Sequence, residues 1–200
     1  MAKADWVKVS PSAGSGDASV NVSSNAPHTG RVVRKSVLTW KAANVQDVQR
    51  PVNQAGKPEY VDIADAASAD KGGKVVTISG VTNSSKLSFS LGTGNLALTL
   101  PAKYNANSMQ VANGAEIPGD PGASAEFPFS ITIEVPANND VAAQSRQIIV
   151  SDAAGNRDVC LLTQAAGDAY ITISASVIEL DYMGTPVTIE VESNTDWTIE

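Results

Sequence analysis

The chain has very few side chains of the kinds that build catalytic or metal centres. Its 200 residues include one histidine, His28, and one cysteine, Cys160. A zinc site needs about three or four nitrogen, sulfur or carboxylate ligands, and a catalytic triad needs a histidine beside a nucleophile and an acid. The sequence also has no Gly-x-Ser-x-Gly element and no phosphate-binding Gly-Lys-Ser/Thr loop. We therefore expect a protein that is not an enzyme, with no catalytic residue, cofactor or metal.

Long apolar runs and an excess of positive charge are also missing. No segment approaches the roughly 18 consecutive apolar residues of a membrane helix, so we expect no membrane partner. The N-terminal Met-Ala-Lys-Ala-Asp-Trp sequence has no apolar core of signal-peptide length, so, with this start, we expect a protein that is made and kept in the cytoplasm or that leaves by cell lysis. The net charge is −7, and the densest basic cluster is Arg31, Arg34 and Lys35. Because phosphate binding needs clustered Lys and Arg, no nucleic-acid partner is expected.

Sustained helical periodicity is absent, and apolar residues alternate with polar ones instead. Alternation is typical of half-buried strands, and it occurs at residues 19–23, 74–78, 86–91, 95–100, 127–135 and 185–191. Gly-, Asn- and Pro-rich turn signals separate these runs, which favours antiparallel β-sandwiches. Residues 64–71 are predicted as either a helical turn or an Ala-rich loop. The predicted core comprises Val76, Ile78, Leu87, Phe89, Leu98, Leu100, Phe129, Ile131, Ile133, Ile149 and Leu161.

The sequence repeats itself at a fixed spacing along the chain. Gln54-Ala-Gly recurs as Gln164-Ala-Ala-Gly, Tyr60-Val-Asp-Ile recurs as Tyr170-Ile-Thr-Ile, and the run that ends at Asn83 recurs as the run that ends at Asn194. The period is about 110 residues, and a fixed period of this length indicates tandem homologous domains. We predict a partial sandwich of closing strands at 1–57, a complete sandwich at 58–168 with a long loop at 101–125, and the opening strands of a further domain at 169–200.

Two stretches carry a resemblance to a known family. Trp6-Val-Lys-Val-Ser-Pro-Ser-Ala-Gly-Ser-Gly-Asp resembles the Trp and the Ser-Pro-x-x-Gly-x-Gly turn of BACON domains, which are Bacteroidetes-associated immunoglobulin-like modules. Ser193-Asn-Thr-Asp-Trp197 is similar to the start of the same module. The resemblance implies tandem immunoglobulin-like sandwiches, one complete and two partial, with these structural motif residues: Trp6, Gly14, Gly16, Arg34, Gln54, Asn83, Arg146, Gln164, Asn194 and Trp197.

These motif residues have physical roles that suit a sandwich. The tryptophans are expected to fill the core; the alternative is that Trp6 or Trp197 stacks on a glycan. The glycine pair is expected to permit a tight turn with positive φ, and each closing glutamine is expected to cap free backbone groups. The middle copy departs from the pattern, because it has Leu87 near the place of the tryptophan and a longer loop in place of the Ser-Pro-Gly-Gly turn.

The resemblance also implies a function. BACON-like modules occur in virion proteins of crAss-like phages and in secreted glycan-handling proteins of gut bacteria. It implies a head fibre or capsid decoration on the virion surface, with the major capsid protein or other virion proteins and further copies of the chain as partners, and host or mucin glycans as a ligand. The alternative is a fragment of a bacterial cell-surface or secreted glycan-binding protein, or an accessory domain of a glycosidase.

Long loops on a sandwich are where binding residues usually lie. In the 101–125 loop, Tyr104, Asn105 and Asn107 are predicted glycan contacts, because an aromatic ring can stack on a sugar while amides bind its hydroxyls. The alternative is a loop used only for packing or capsid contact. Asn138–Asp140, and Asp120 with Glu126, offer oxygen atoms for calcium, although solvated turns would have the same composition.

The ends of the repeat are incomplete. Half a sandwich leaves open strand edges and apolar faces, which strand addition can cover. One interpretation is a longer fibre whose third domain continues past Glu200, and the other is that the tail of one copy completes the head of another. In both cases residues 1–57 are expected to need an intermolecular partner.

Overall fold

A computed structural model describes residues 3–200, and this part of the chain is folded almost entirely as β-strands and turns. Its one helical element is a single 3₁₀ turn at Pro121–Ala123. The prediction of an all-β sandwich fold is therefore confirmed. No helix within residues 3–200 is long and apolar enough to cross a membrane.

The N-terminal unit, residues 3–57, consists of two separate hairpins. Strand β1 (Val7–Ser10) pairs with β2 (Asn21–Ser24), and β3 (Arg34–Trp40) pairs with β4 (Val48–Gln54). Both pairs are antiparallel, and each forms a sheet of two strands. Residues 3–57 therefore form two separate two-stranded sheets and no larger sheet.

The central sandwich, residues 61–164, has two larger sheets. Its strands are β5 (Val61–Ile63), β6 (Ala66–Ala69), β7 (Lys74–Thr82), β8 (Leu87–Gly94), β9 (Lys103–Ala106), β10 (Met109–Ala112), β11 (Phe127–Val135), β12 (Gln144–Asp152) and β13 (Arg157–Gln164). One sheet has the order β10-β9-β11-β7-β5, and the other has the order β6-β13-β12-β8. All neighbouring strands are antiparallel except β6, which is parallel to β13.

One apolar core joins the two sheets. Alternate residues of β7 and β11 point inward, as the predicted pattern requires, and they meet Leu87 and Phe89 from the opposite sheet. Leu98 and Leu100 are partly buried against this core. Two predicted core residues are wrong: Leu161 is exposed and Ile149 is only half-buried, whereas their neighbours Leu162 and Ile148 are fully buried. Both errors fall in continuous apolar runs, where either phase of the strand satisfies the sequence pattern.

Two segments predicted as irregular contain strands. Residues 64–71 contain β6, which lies at the edge of its sheet and is neither a helical turn nor a loop. The predicted loop 101–125 contains the β9–β10 hairpin, and β9 extends the sheet through pairing of Ala106 with Phe129. The alanine and asparagine content of these segments hides the strands, because these residues are depleted in strands generally.

The C-terminal unit, residues 169–200, contains β14 (Ile171–Ile173) and β15 (Val191–Ser193). The two strands pair as Ile171 with Ser193 and Ile173 with Val191. Their repeat counterparts in the central sandwich pair in the same register: Val61 with Thr82 and Ile63 with Gly80. The sequence repeat is therefore also a repeat of strand pairing.

The β3–β4 hairpin repeats the β12–β13 pair in the same way. Arg34 lies opposite Gln54, and Gln144 lies opposite Gln164, one repeat period further along the chain. The residue that corresponds to Arg34 is therefore Gln144. Arg146, the other arginine among the motif residues, lies two positions further along β12.

Candidate functional site

The predicted glycan-contact residues do not form a surface site. Tyr104 is only 2% exposed, and its ring lies 5.1 Å from the ring of Phe89 in the core. Burial raises the pKa of the Tyr104 hydroxyl. Asn105 faces the other side of β9, where its Oδ1 accepts a hydrogen bond from Gln110, and Asn107 is exposed. Because neighbouring residues of a strand point to opposite faces, Tyr104 and Asn105 cannot grip one sugar together.

Polar groups gather instead where the chain passes between units. At the first junction, the buried Asn83 follows the end of β7. Its Oδ1 accepts a hydrogen bond from the backbone N–H of Tyr60 at 3.0 Å. Its Nδ2 lies 3.2 to 3.3 Å from the carbonyl oxygens of Thr29, Lys57 and Pro58. One side chain therefore ties a loop of the N-terminal unit to the linker and to the central sandwich.

The second junction repeats this arrangement with Asn194. Its Oδ1 accepts a hydrogen bond from the N–H of Tyr170 at 2.9 Å, and its Nδ2 donates to the carbonyls of Asn139 at 2.9 Å and Asp168 at 2.8 Å. Asn139 and Asp168 are the repeat counterparts of Thr29 and Pro58, so the same backbone positions are bound. We call this shared device the asparagine clamp.

A hydroxyl beside each asparagine adds to the clamp. The Thr82 hydroxyl donates to the carbonyl of Tyr60 at 2.6 Å, and the Ser193 hydroxyl donates to the carbonyl of Tyr170 at 2.9 Å. The linker tyrosine thus has both its N–H and its C=O bound at each junction. Backbone groups that are bound in this way hold the linker in one conformation.

The first junction has further contacts that come from residues 120–126. The guanidinium of Arg31 binds both carboxylate oxygens of Asp120, with Nη1 2.6 Å from Oδ1. This hydrogen bonding raises the pKa of Arg31. The backbone N–H groups of Arg31 and Val32 donate to the carbonyls of Gly122 and Ala123 at 2.9 and 3.0 Å. Sequence reasoning missed Arg31 as a contact residue, because its partner is 89 positions away.

Two glycines allow this close approach. A Cβ atom on Gly122 would lie 2.0 Å from the carbonyl oxygen of Asn83, and one on Gly30 would lie 2.3 Å from the carbonyl carbon of Ser124. Both distances are far below van der Waals contact, and both neighbours are backbone. A side chain at position 30 would therefore push the N-terminal unit away from Ser124 of the central sandwich, whereas one at position 122 would push the 120–126 segment away from Asn83 within the central sandwich.

A second polar group covers the linker. The Tyr60 hydroxyl donates to Oε2 of Glu126 at 2.5 Å, and the Lys57 ammonium lies 3.6 Å from the same oxygen. That ammonium also lies 3.6 Å from the centre of the Tyr60 ring, in cation–π geometry. The hydrogen bond from Tyr60, together with the charge of Lys57, lowers the pKa of Glu126.

Fewer side-chain contacts surround the second junction. Lys71 forms an ion pair with Asp168, and both side chains are exposed. The buried Asn138 donates to the carbonyls of Ala142 and Ala165 at 2.9 Å. The repeat places Val141 where the first junction has Arg31, so the bidentate ion pair has no counterpart there.

The remaining motif residues have structural contacts. Trp6 is half-buried, with the Arg34 guanidinium 4.6 Å from its ring, and Arg34 Nε donates to Gln54 at 2.8 Å. The Arg146 guanidinium donates to the carbonyls of Leu96 and Gly92. Gln164 is buried and donates to the carbonyls of Asp70 and Pro136, which is the capping role expected for it. None of these contacts joins two units: the first two lie in the N-terminal unit, and the others lie in the central sandwich.

Two motif expectations need correction. Trp197 is 47% exposed and fills no core in this structure, because the C-terminal unit has no second sheet to cover it. Of the predicted glycine pair, Gly16 has a positive φ of 68°, whereas Gly14 does not. Only Gly16 therefore depends on the conformational freedom of glycine.

The residues weighed for catalysis or calcium binding are engaged in local contacts. The ring Nε2 of His28 lies 2.7 Å from the carbonyl oxygen of Val32, so it acts as a donor that closes its own loop. Asp120 and Glu126 bind Arg31 and Tyr60, as described above, and Asp140 accepts a hydrogen bond from Gln144. Within residues 3–200, no group of three or more His, Cys, Asp or Glu side chains is arranged to hold a metal ion.

Comparisons with known proteins leave the family open. No family model matches the chain, and no curated protein matches it. Among solved structures, it is similar to an endo-fucoidan hydrolase from glycoside hydrolase family 107, with 9% sequence identity and a TM-score of 0.33. The match covers 82% of this chain and 22% of the hydrolase. A TM-score of this size carries no argument about activity. The structure itself defines the chain as an all-β sandwich protein.

Proposed function

We propose that this chain is a non-enzymatic structural protein whose sandwich units are held at fixed angles to form a stiff spacer. The observation that carries the proposal is the asparagine clamp, which binds equivalent backbone groups at both junctions. A linker that served only as a flexible tether would leave these groups to water. Here each junction uses a side-chain amide and a hydroxyl to hold one tyrosine in place.

The linker sequence supports the same function. Pro58 fixes one backbone angle of the first linker, and only a few residues separate Gln54 from β5. Short linkers with bound backbone groups have little conformational entropy left to lose when the protein attaches to a surface. A spacer of this kind suits a protein that must project from a particle or a cell.

For the biological setting, we propose a head fibre or capsid decoration on a virion surface, with capsid proteins as partners. The BACON-like sequence resemblance supports this setting. The second candidate is a fragment of a bacterial cell-surface or secreted glycan-binding protein, which the same resemblance supports. A glycan-binding role is weakened by the burial of Tyr104, because the expected aromatic platform lies in the core.

Small-angle X-ray scattering on single copies tests the stiff spacer. We expect one set of dimensions for the wild-type chain and a broader, more variable set for the double variant Asn83→Ala with Asn194→Ala. The matched control is Asn107→Ala, because Asn107 is exposed and its side chain has no contact at either junction. Equal flexibility in all three proteins would contradict the proposal.

Immunogold labelling separates the two biological settings. Antibodies raised against the chain should bind intact phage particles if the protein is a virion component, and intact bacterial cells if it is a cell-surface protein. Labelling of cells without labelling of particles would overturn the virion assignment and leave the spacer role in place.

A further inference from the structure

The four-stranded sheet of the central sandwich has an apolar cluster on its outer face. Ile149 of β12 and Val159 of β13 lie directly opposite each other, and Leu161 lies two positions further along β13 on the same face. Val159 is 37% exposed and Leu161 is 43% exposed, whereas Ile149 is half-buried. These three side chains, which we call the outer cluster, point away from the core that joins the two sheets.

The sequence of β12 and β13 is of the kind that is covered on both faces. Residues 148–150 and residues 159–162 are continuous apolar runs. An antiparallel strand with one face in water normally alternates, whereas a continuous apolar run is typical of a strand that is buried on both faces. The core covers the inner positions of both runs. The outer positions therefore lack the second cover that their sequence predicts.

The sequence repeat shows that the hairpin itself does not need apolar residues at these outer positions. The β3–β4 hairpin has the register of β12–β13, so Thr39 and Gln49 pair as Ile149 and Val159 do. A polar pair in one unit thus stands at the position of an apolar pair in the other. The apolar character of the outer cluster is therefore a property of the central sandwich and not of the shared strand pairing.

Charged side chains are nearly absent from the same face. The outward positions of β12 and β13 are every second residue from Ser145 to Ser151 and from Arg157 to Thr163, and Arg157, at the start of β13, is the one charged residue among them. The rest of this set consists of the outer cluster with serine, threonine and glutamine. Depletion of charge around an apolar centre is the composition of a protein–protein interface.

The outer face of the five-stranded sheet has a different composition. Three of its strands carry an exposed charged residue there, namely Asp62, Lys103 and Glu134. Its exposed apolar residues are Val75 and Val81. They lie six positions apart on β7, about 20 Å at roughly 3.3 Å per residue, so they form no cluster. The combination of an apolar centre and a neutral surround therefore distinguishes the four-stranded sheet.

The chemistry of this face suits a second copy of the chain. Hydroxyl and amide side chains both donate and accept hydrogen bonds, so such a surface can satisfy a copy of itself. A charged face would instead require the opposite charge on a different molecule. The chain has a net charge of −7, so two copies repel each other least where they meet through a neutral face.

The size of the face allows a dimer. Strand β13 has eight residues and the sheet has four strands, so the face measures about 26 Å by about 19 Å, at roughly 3.3 Å per residue and 4.8 Å per strand. Two such faces bury roughly 1,000 Å² in total, which is the lower limit of a specific interface. We therefore expect a dimer that forms with increasing protein concentration.

We propose that the outer face of the four-stranded sheet binds the same face of a second copy. The two sheets pack face to face, as in a sandwich, and Ile149, Val159 and Leu161 of both copies form the centre of the interface. The contact is isologous, so it closes at two copies. This inference goes beyond the stiff spacer, because it names the face through which two spacers associate side by side.

Matched charge substitutions on the two outer faces test the proposal. The test variant is Val159→Lys with Leu161→Lys, and the control is Val75→Lys with Val81→Lys on the five-stranded sheet. All four positions are more than a third exposed. Both variants add the same charge, so a difference in mass between them reports on the face and not on net charge. Circular dichroism and thermal melting check that each variant keeps its fold.

Sedimentation equilibrium over a range of concentrations measures the masses. We expect the wild type and the control to rise from the mass of one chain to the mass of two, and the test variant to stay at the mass of one. A second variant, Val159→Glu with Leu161→Glu, should also be a monomer alone. An equimolar mixture of the Lys and Glu variants should regain the mass of two chains, because opposite charges then face each other.

Five results would each overturn the proposal. They are a wild type that stays a monomer at every concentration, a Lys or Glu variant that still dimerises alone, a control that loses the dimer, a mixture that stays monomeric, and a wild-type mass beyond two chains. Scattering from the monomeric Lys variant measures the stiffness of a single copy. The stiff spacer and the dimer can therefore fail independently.

Discussion

The chain passes from one unit to the next twice, and the two junctions share the asparagine clamp but differ in their surroundings. At the first, the 3₁₀ turn and its flanking residues cover the linker and bind Arg31. At the second, the clamp is accompanied by an exposed ion pair and by the buried Asn138. The clamp is therefore the element that the two junctions have in common, and the longer loop of the central sandwich adds contacts at the first junction only.

The largest expected effect comes from closing the space at the first junction. Gly122→Ala places a Cβ 2.0 Å from the Asn83 carbonyl oxygen, so the 120–126 segment must move. We expect a loss of about 1–3 kcal/mol in the free energy of unfolding, the usual cost of overpacking, measured by chemical denaturation. Gly14→Ala is the control, because nothing lies within 4 Å of its added Cβ. Equal stability of the two variants would contradict the close approach.

Removing each clamp in turn compares the junctions directly. Asn83→Ala removes a fully buried amide and leaves four part-buried backbone groups without this partner, and we expect it to cost about 1–3 kcal/mol. Asn194→Ala should cost less, about 1 kcal/mol, because Asn194 is only half-buried and water can replace its bonds. Limited proteolysis should cut the 54–60 linker faster in the first variant and the 165–170 linker faster in the second. A larger effect at Asn194 would reverse the ranking of the junctions.

The ion pair of the first junction should have a smaller effect. Asp120→Asn removes the charge partner of Arg31 but keeps the shape of the side chain. Both groups are partly exposed, with relative side-chain exposures of 20% and 41%, so we expect about 0.2–1 kcal/mol. The difference from wild type should shrink at high salt. Lys71→Gln, at the second junction, is the matched control, and its effect should be near zero because that pair is more exposed.

The smallest expected effect is a pH dependence at the first junction. The Tyr60 hydrogen bond lowers the pKa of Glu126. The stability that ionised Glu126 adds to the folded chain is therefore present above the ordinary pKa of 4.5 and is lost as pH falls through the lowered pKa. NMR titration should find this pKa below 4.5 in the wild type and closer to 4.5 in Tyr60→Phe. An unchanged pKa in that variant would show that Lys57 alone sets the shift.

The sequence pattern predicts the long alternating strands but not β6, β9 or β10, and it does not predict the partners of the junction residues. Asn83 and Asn194 were identified through the repeat, yet the sequence alone does not show which carbonyl groups they bind. Arg31 was noted only as part of a basic cluster, and Asp120 only as an oxygen ligand. Their pairing depends on a loop that folds back across 89 positions of the chain, and local patterns carry no information about such a contact.

The all-β class and the repeat of about 110 residues follow from the sequence alone, because period-two alternation and a fixed repeat spacing are properties of the chain. The tertiary structure decided the rest. It chose the phase of Ile148 over Ile149 and of Leu162 over Leu161, since apolar runs fit either face until a second sheet covers one of them. The tertiary structure also placed the Tyr104 side chain in the core. It did so because β9 joins a sheet by pairing with β11, a strand that lies more than 20 residues further along the chain.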